Sequence, residues 1–316
     1  MQIEEFGQLF ALPIPDLTPY ALGIASQYEE VLPWYCTVPT NMTGVTREHR
    51  IITTTPVEDD VLIIAAHCQP NPSDTNNGQY LLLQVNDLKN GLFWSTPNAI
   101  FGSPVTAYAG VKSNRIPVIQ LPEAYFMRAG TSLRHQWKTY GSATGGTLTW
   151  IGVRLQKPIG GVAPEHVVLP DGPRIKIGSR MPWFDTIGLG EEVSVLGSPF
   201  YGLGASAQFV GKSTVMDCGV YVTGLSANWF TQLGVTTNPE NLLVAISDSG
   251  NSRSWQIRRA PAPAVLGSPE TFPMLPFTKP YFLPPGHSLK ISVQNQNATS
   301  LSNPYLTIHG IRLCEF

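Results

Sequence analysis

One sequence motif occurs twice, about half a chain length apart, and this repeat limits the possible folds more than any other feature. The C-terminal version reads Pro280-Tyr281-Phe282-Leu283-Pro284-Pro285-Gly286-His287-Ser288-Leu289-Lys290, then a polar loop, then Leu306-Thr307-Ile308-His309-Gly310-Ile311-Arg312-Leu313. The earlier version reads Ala124-Tyr125-Phe126-Met127-Arg128-Ala129-Gly130-Thr131-Ser132-Leu133-Arg134, a polar loop, then Leu148-Thr149-Trp150-Ile151-Gly152-Val153-Arg154-Leu155. The offsets are 156 and 158, and the two-residue difference falls in the loop, where insertions are tolerated. Upstream, Leu81-Leu82-Leu83-Gln84-Val85-Asn86-Asp87 lies over Leu242-Leu243-Val244-Ala245-Ile246-Ser247-Asp248 at an offset of 161, with Trp94 over Trp255. Phe101-Gly102-Ser103-Pro104 lies over Leu266-Gly267-Ser268-Pro269 at 165. Four blocks in the same order read as an internal duplication of a whole domain, since solenoid repeats have periods of roughly 20–50 residues.

Each half is a series of short apolar runs bounded by Gly, Pro, Asn or Asp, the pattern of strands joined by turns. In the first half the expected strands are 51–55, 61–67, 80–85, 116–120, 132–138 and 147–155. In the second they are 207–210, 219–224, 242–247, 255–258, 288–294 and 305–314. Gly152 interrupts the alternation of its run, as at a β-bulge. In the repeated Tyr-Phe-x-x-x-Gly-x-Ser-Leu segment, adjacent aromatics point to opposite faces. Gly130 and Gly286 then permit a positive-φ turn, and Leu133 and Leu289 start the next strand inward. The expected fold is all-β, two tandem jelly-roll-like antiparallel β-sandwich domains. The domain map is an N-terminal extended arm over 1–32, a first sandwich over 33–158, a linker with a first strand over 159–190, and a second sandwich over 191–316. Pro13, Pro15 and Pro19 argue against a helix in the arm, and only 230–233 suggests a helical turn.

Composition excludes several functions. Charged residues make up 13%, about half the usual share, and the net charge is −2 with no long basic run, so no nucleic-acid partner is expected. No stretch has the roughly 20 apolar residues of a membrane helix, and the first residues do not resemble a signal peptide. Synthesis and retention in a cytosol, until any lysis or export, are expected. Cys36, Cys68, Cys218 and Cys314 form no CxxC pair and match no position across the repeat, so they read as buried free thiols rather than a disulfide or zinc framework.

The residues offer little catalytic chemistry. There is no Gly-x-Ser-x-Gly elbow; Gly204-Ala205-Ser206-Ala207-Gln208 lacks the last glycine. The histidines are His49, His67, His135, His166, His287 and His309, and a metal site from His287 and His309 is disfavoured because their matched positions are Thr131 and Ile151. Glu58-Asp59-Asp60 and Glu191-Glu192 read as solvated turn acids rather than a glycosidase pair. Asp87 and Asp248 match and read as Asx turns. No enzyme, cofactor, metal or catalytic residue is expected. Seven tryptophans leave a carbohydrate-binding sandwich as an alternative, favoured if they line a groove and disfavoured if they are buried.

The segment Pro280–Ile291 with the strand Leu306–Leu313 resembles the jelly-roll cement, or decoration, proteins of tailed-bacteriophage capsids. Tyr125-Phe126 and Ser132-Leu133 keep part of that pattern, with Arg128 where the second half has Pro284. The resemblance implies a virion structural protein on the capsid exterior, bridging and stabilising capsomers through the major capsid protein or other virion subunits, with self-association possible. A head–tail collar or fibre anchor is the alternative within the virion. Expected partner surfaces are 1–32 and the loops 139–146 and 294–304.

Overall fold

Period-two alternation is plainest over Leu242–Asp248, where alternate residues are buried in the order Leu242, Val244, Ile246 and Asp248. A strand with one face on a core and one turned away reads this way. The computed structural model describes residues 18–41, 51–70, 81–87, 92–94, 119–139, 145–170, 172, 174–195, 198–227, 241–266, 275–302 and 305–314.

The first half comprises α1 (Pro19–Ala25), β1 (Tyr28–Asn41), β2 (Ile51–Pro56), β3 (Asp60–Pro70), β4 (Leu81–Asp87), β5 (Leu92–Trp94), β6 (Ile119–Met127), β7 (Ser132–Thr139) and β8 (Gly145–Pro158). One sheet has the order β1-β8-β3-β6 and the other β2-β7-β4-β5. A connecting hairpin, β9 (His166–Val168) and β10 (Arg174–Lys176), follows. The second half comprises β11 (Arg180–Gly188), β12 (Glu191–Val195), β13 (Ser198–Leu203), β14 (Gln208–Lys212), β15 (Gly219–Ala227), β16 (Leu242–Asp248), β17 (Ala260–Pro261), α2 (Ala262–Leu266), β18 (Leu275–Leu283), β19 (Leu289–Asn295), β20 (Leu301–Ser302) and β21 (Tyr305–Leu313). Its sheets run β11-β21-β15-β18 and β14-β19-β16-β17, with a small third sheet β12-β13-β20.

Both halves thread their strands identically. In each, the first, third, sixth and eighth of the shared strands make one sheet in the order 1-8-3-6, and the others make the second in the order 2-7-4-5. Every ladder is antiparallel. This is the two-sheet jelly roll, present twice. Each pair of sheets encloses one core: Val61, Ile63, Val85, Tyr125, Leu133 and Trp150 in the first sandwich, and Val220, Val222, Val244, Leu289, Ile291 and Ile308 in the second.

The repeated corner behaves as its residues require. Gly130 and Gly286 have φ of 74° and 79°, the left-handed region open to glycine. Their N–H groups donate to Val57 O and Met216 O, both at 2.9 Å. Leu133 and Leu289 are fully buried in the strand that follows, in the opposite sheet.

Several expectations need correction. The bulge lies not at Gly152 but opposite it, where the register of β3 shifts between Ile63 and Ala65; β15 shifts at the matching place, between Val222 and Gly224, opposite Gly310. The extended arm contains helix α1, because Pro19 occupies a first-turn position where no N–H is needed and Thr18 caps the end through its Oγ1. Strand β1 starts at Tyr28, inside the stretch read as arm, and β11 joins the second sandwich from within the stretch read as linker. Cys218 and Cys314 form a disulfide across 5.4 Å between Cα atoms. They lie just before β15 and just after β21, whose pairing sets Gly219 opposite Leu313, so the register brings together thiols 96 residues apart. In the first sandwich the same place is held by a hydrogen bond from Gln156 Nε2 to Asp59 Oδ2 at 3.1 Å. Cys36 is half-buried rather than buried, and the side chain of Cys68 lies outside the described residues.

Candidate assembly surfaces

The two sandwiches are joined side against side. Strand β11 lies along β6 and β5 of the first sandwich. Trp183 and Ile187 of β11 turn into the second core, while Met181 and Phe184 complete the first. Both faces of β11 are therefore buried, and one strand serves two cores.

A polar weld fixes the same junction. Glu123 of β6 is fully buried and accepts from Arg180 of β11 through Nε and Nη2, both at 3.1 Å. Its other oxygen accepts from the Thr18 hydroxyl and, at 3.2 Å, from the Ala124 N–H. Burial pushes the Glu123 carboxyl above its ordinary value, against the pull of Thr18, Arg180 and Ala124. The Tyr20 hydroxyl accepts from Gly178 N at 2.8 Å, and Arg180 stacks over its ring. Burial pushes this phenol up to about 12. Helix α1, the first sandwich and the start of the second are thus tied at one point.

A second pair of acid contacts spans each sandwich internally. Tyr125 donates to Asp87 Oδ2 at 2.5 Å, and Tyr281 donates to Asp248 Oδ2 at 2.8 Å. Each bond links the corner strand of one sheet to the end of a strand in the other. Asp248 also forms the expected Asx turn, accepting from Gly250 N at 2.9 Å, and pairs with His287 at 2.9 Å. Burial alone would raise the Asp248 carboxyl, but the bonds from Tyr281, Gly250 and His287 outweigh it and hold the group below its ordinary value. The Asx reading was incomplete for both aspartates, because the tyrosine partner comes from a distant strand.

The outer faces of the two larger sheets differ. Leu62 and Phe126 lie beneath Tyr20 and Ile24 of α1 and Val167 of the connecting hairpin. The register makes Tyr221 and Phe282 their counterparts, paired to each other as Leu62 is to Phe126. These two are 37% and 45% exposed, with ring centroids 5.1 Å apart.

The sequence-derived chemical candidates are dispersed into structural roles. His135 is fully buried and accepts from Trp150 Nε1 at 2.8 Å. His166 lies beside Arg174 on the connecting hairpin. His287 pairs with Asp248, whereas Nε2 of His309 contacts Ser226 Oγ at 2.8 Å, so the two have separate partners. Asp60 accepts from Tyr28 and from Ala129 N, Asp59 from Gln156, and Glu58 is exposed. Glu191 is exposed, and Ser206 sits in an exposed turn at φ 55°. His49 and the side chains of His67 and Glu192 lie outside the described residues. Among the described residues one group of three metal-ligating types occurs, Asp217, Cys218 and Cys314, and the disulfide uses both its sulfurs. No described helix is long and apolar enough to cross a membrane.

The expected partner loops are altered too. The loop 294–304 is anchored by buried Asn295, whose Nδ2 donates to Gly204 O at 3.0 Å and Thr299 O at 2.9 Å, while Leu301–Ser302 pairs with β13. Of the loop 139–146, residues 140–144 lie outside the described residues, as do residues 1–17 of the arm. Trp150 and Trp183 are buried, and Trp34 and Trp255 pack against the cores. The other tryptophan side chains lie outside the described residues.

His309 gives the junction an acid sensitivity. It is buried against Phe184 of β11, ring centroids 5.2 Å apart, and desolvation lowers its pKa from 6.5 to about 4. Below pH 6.5 the unfolded chain binds a proton that the fold resists, so this contribution is complete above 6.5 and is lost as the pH falls towards 4. The loss reaches about 3 kcal/mol. In His309→Ile, which installs the residue found at Ile151, the drop in Tm between pH 7 and about pH 4 should shrink; an unchanged drop would assign the acid sensitivity elsewhere.

No family model and no curated protein matches this chain. Among solved structures, the major capsid protein P2 from Bacteriophage PM2 aligns over 89% of this chain and 98% of its own, at 10% identity and a TM-score of 0.38. The CUB1-EGF-CUB2 domain of human MASP-1/3 aligns over 87% and 99%, at 10% identity and a TM-score of 0.22. The CBM22-1-CBM22-2 tandem domain of Paenibacillus barcinonensis Xyn10C aligns over 90% and 93%, at 11% identity and a TM-score of 0.18. Likenesses this weak carry no functional argument. The β-sandwich fold stands on the chain's own sheets, and that fold suits a structural or binding role.

Proposed function

We propose that this chain is a structural, non-enzymatic component of a virus particle, a lateral building block that binds neighbouring subunits of the shell. The observation that carries this reading is the weld of two jelly rolls through β11, whose side chains enter both cores and so tie together modules that would otherwise be joined by a linker alone. Jelly rolls recur in viral capsids, lectins and cupins. The cupin option needs a metal or substrate cluster, and His135, His287, His309 and Asp248 are instead engaged in internal bonds with separate partners. The lectin option needs a tryptophan platform, and the four described tryptophan side chains pack into cores. The finer role is that of a cement or decoration protein on the capsid exterior, contacting the major capsid protein. Many modest contacts repeated around a shell then stabilise it collectively.

The test is to add purified chain to particles of its source that have been stripped of it. Saturable uptake with a raised particle disruption temperature supports the reading. A chain that ignores particles but is retained on a glycan surface overturns it in favour of the lectin.

A further inference from the structure

The junction inside the chain has an unused counterpart on its two outer edges. Leu32-Pro33-Trp34-Tyr35 on β1 repeats Met181-Pro182-Trp183-Phe184 on β11 at an offset of 149. The register confirms the match, because Trp34 lies opposite Gly152 and Trp183 opposite Gly310. Met181 and Phe184 are buried in the neighbouring sandwich, at 4% and 0% exposure. Their equivalents Leu32 and Tyr35 are 43% and 54% exposed. The strand that receives β11 is β6, and its equivalent is β18, which carries exposed Lys279 and Phe282. In their sheets β1 and β18 are both edge strands, so the chain ends in one edge of the inserting kind and one of the receiving kind.

We infer that β1 of one copy docks against β18 of a second copy, head to tail, repeating between chains the contact that β11 makes with β6 within one. The charges support this occupant. Inside the chain the receiving strand offers Glu123 and the inserting strand Arg180. On the outer edges the polarity is reversed: Lys279 stands where Glu123 stands, and Val31 stands where Arg180 stands, preceded by exposed Glu29 and by Glu30, which pairs with Lys157. A lysine on the receiving edge therefore meets the exposed Glu29 carboxylate on the inserting edge. A contact of this kind is heterologous and extends into a closed ring or a filament. The inference rests on reading the chain as an assembly subunit and names its partner as another copy of itself.

The experiment is sedimentation velocity of the full chain over a concentration series, alone and as Leu32→Asp, Lys279→Glu, and Lys279→Glu combined with Glu29→Lys. The wild type should associate, Leu32→Asp and Lys279→Glu should each weaken association at least about tenfold, a loss of about 1.4 kcal/mol, and the double variant should recover most of it. Thermal melts matching the wild type show that the variants fold, and the exposed Lys279 keeps the test valid if Leu32→Asp does not. A wild type that stays monomeric, or oligomers indifferent to these changes, overturns the inference. Particle uptake by such a chain would leave the virion reading intact, whereas head-to-tail association without uptake would remove that reading and keep the inference.

Discussion

Gly152→Ala should cost the first sandwich about 4 kcal/mol or more, and Gly310→Ala distinctly less. A Cβ on Gly152 would sit 2.1 Å from Leu62 O and 3.1 Å from Ile63 Cα, both backbone atoms of β3 at its bulge. No rotamer change relieves such a clash, so β8 and β3 must separate where three ladder strands meet. At Gly310 the nearest atoms are Tyr221 O at 2.8 Å and Val220 Cγ1 at 2.9 Å, the second of which belongs to a side chain that can move. Overpacking there falls in the usual range of about 1–3 kcal/mol. Urea midpoints of the two variants check the order. Equal, small losses would mean that the bulge yields readily and is not what these glycines serve.

Glu123→Ala should cost about 3–4 kcal/mol and loosen helix α1 and strand β11 together. The substitution leaves Arg180, only 26% exposed, without its carboxylate, and removes the acceptor of Thr18 at the helix cap. Because one side chain joins three segments, the damage should be spatially correlated: amide exchange should rise at 19–25 and 180–188 before it rises in the core strands of either sandwich. Replacing both Glu123 and Arg180 by Met should recover more than half of the loss, since a buried ion pair is often no better than apolar residues of similar volume. A loss confined to one segment would show that the ion pair is local and that Met181 and Phe184 alone hold the two halves together.

Much of the fold was legible because it repeats. Matched blocks set Asp87 over Asp248, Tyr125 over Tyr281 and Gly130 over Gly286, and each pair holds equivalent places in the sheets. What escaped were relations between distant strands. Tyr125 and Asp87 bond across 38 residues, and no local pattern joins them. Cys218 and Cys314 have no counterparts in the first half, which uses Asp59 and Gln156 there, so comparing the halves pointed away from the disulfide. Pro19 was read as a helix breaker although it stands where a helix accepts proline. The Pro-Trp segments of β1 and β11 were visible in the sequence, but one lay at the very start of the stretch read as first sandwich and the other in the stretch read as linker, at an offset of 149 that the other blocks do not share. With them went the assembly surface, since only the burial of Met181 and Phe184 gives the exposure of Leu32 and Tyr35 a meaning.

The most direct test of the structural role is the copy number of this chain in purified intact particles of its source, measured by quantitative mass spectrometry against the shell subunit. A building block or cement of the shell should be present at a stoichiometry comparable to that subunit and should stay with the particle through gradient purification. Absence from the particles, or a trace amount lost on purification, would contradict the account.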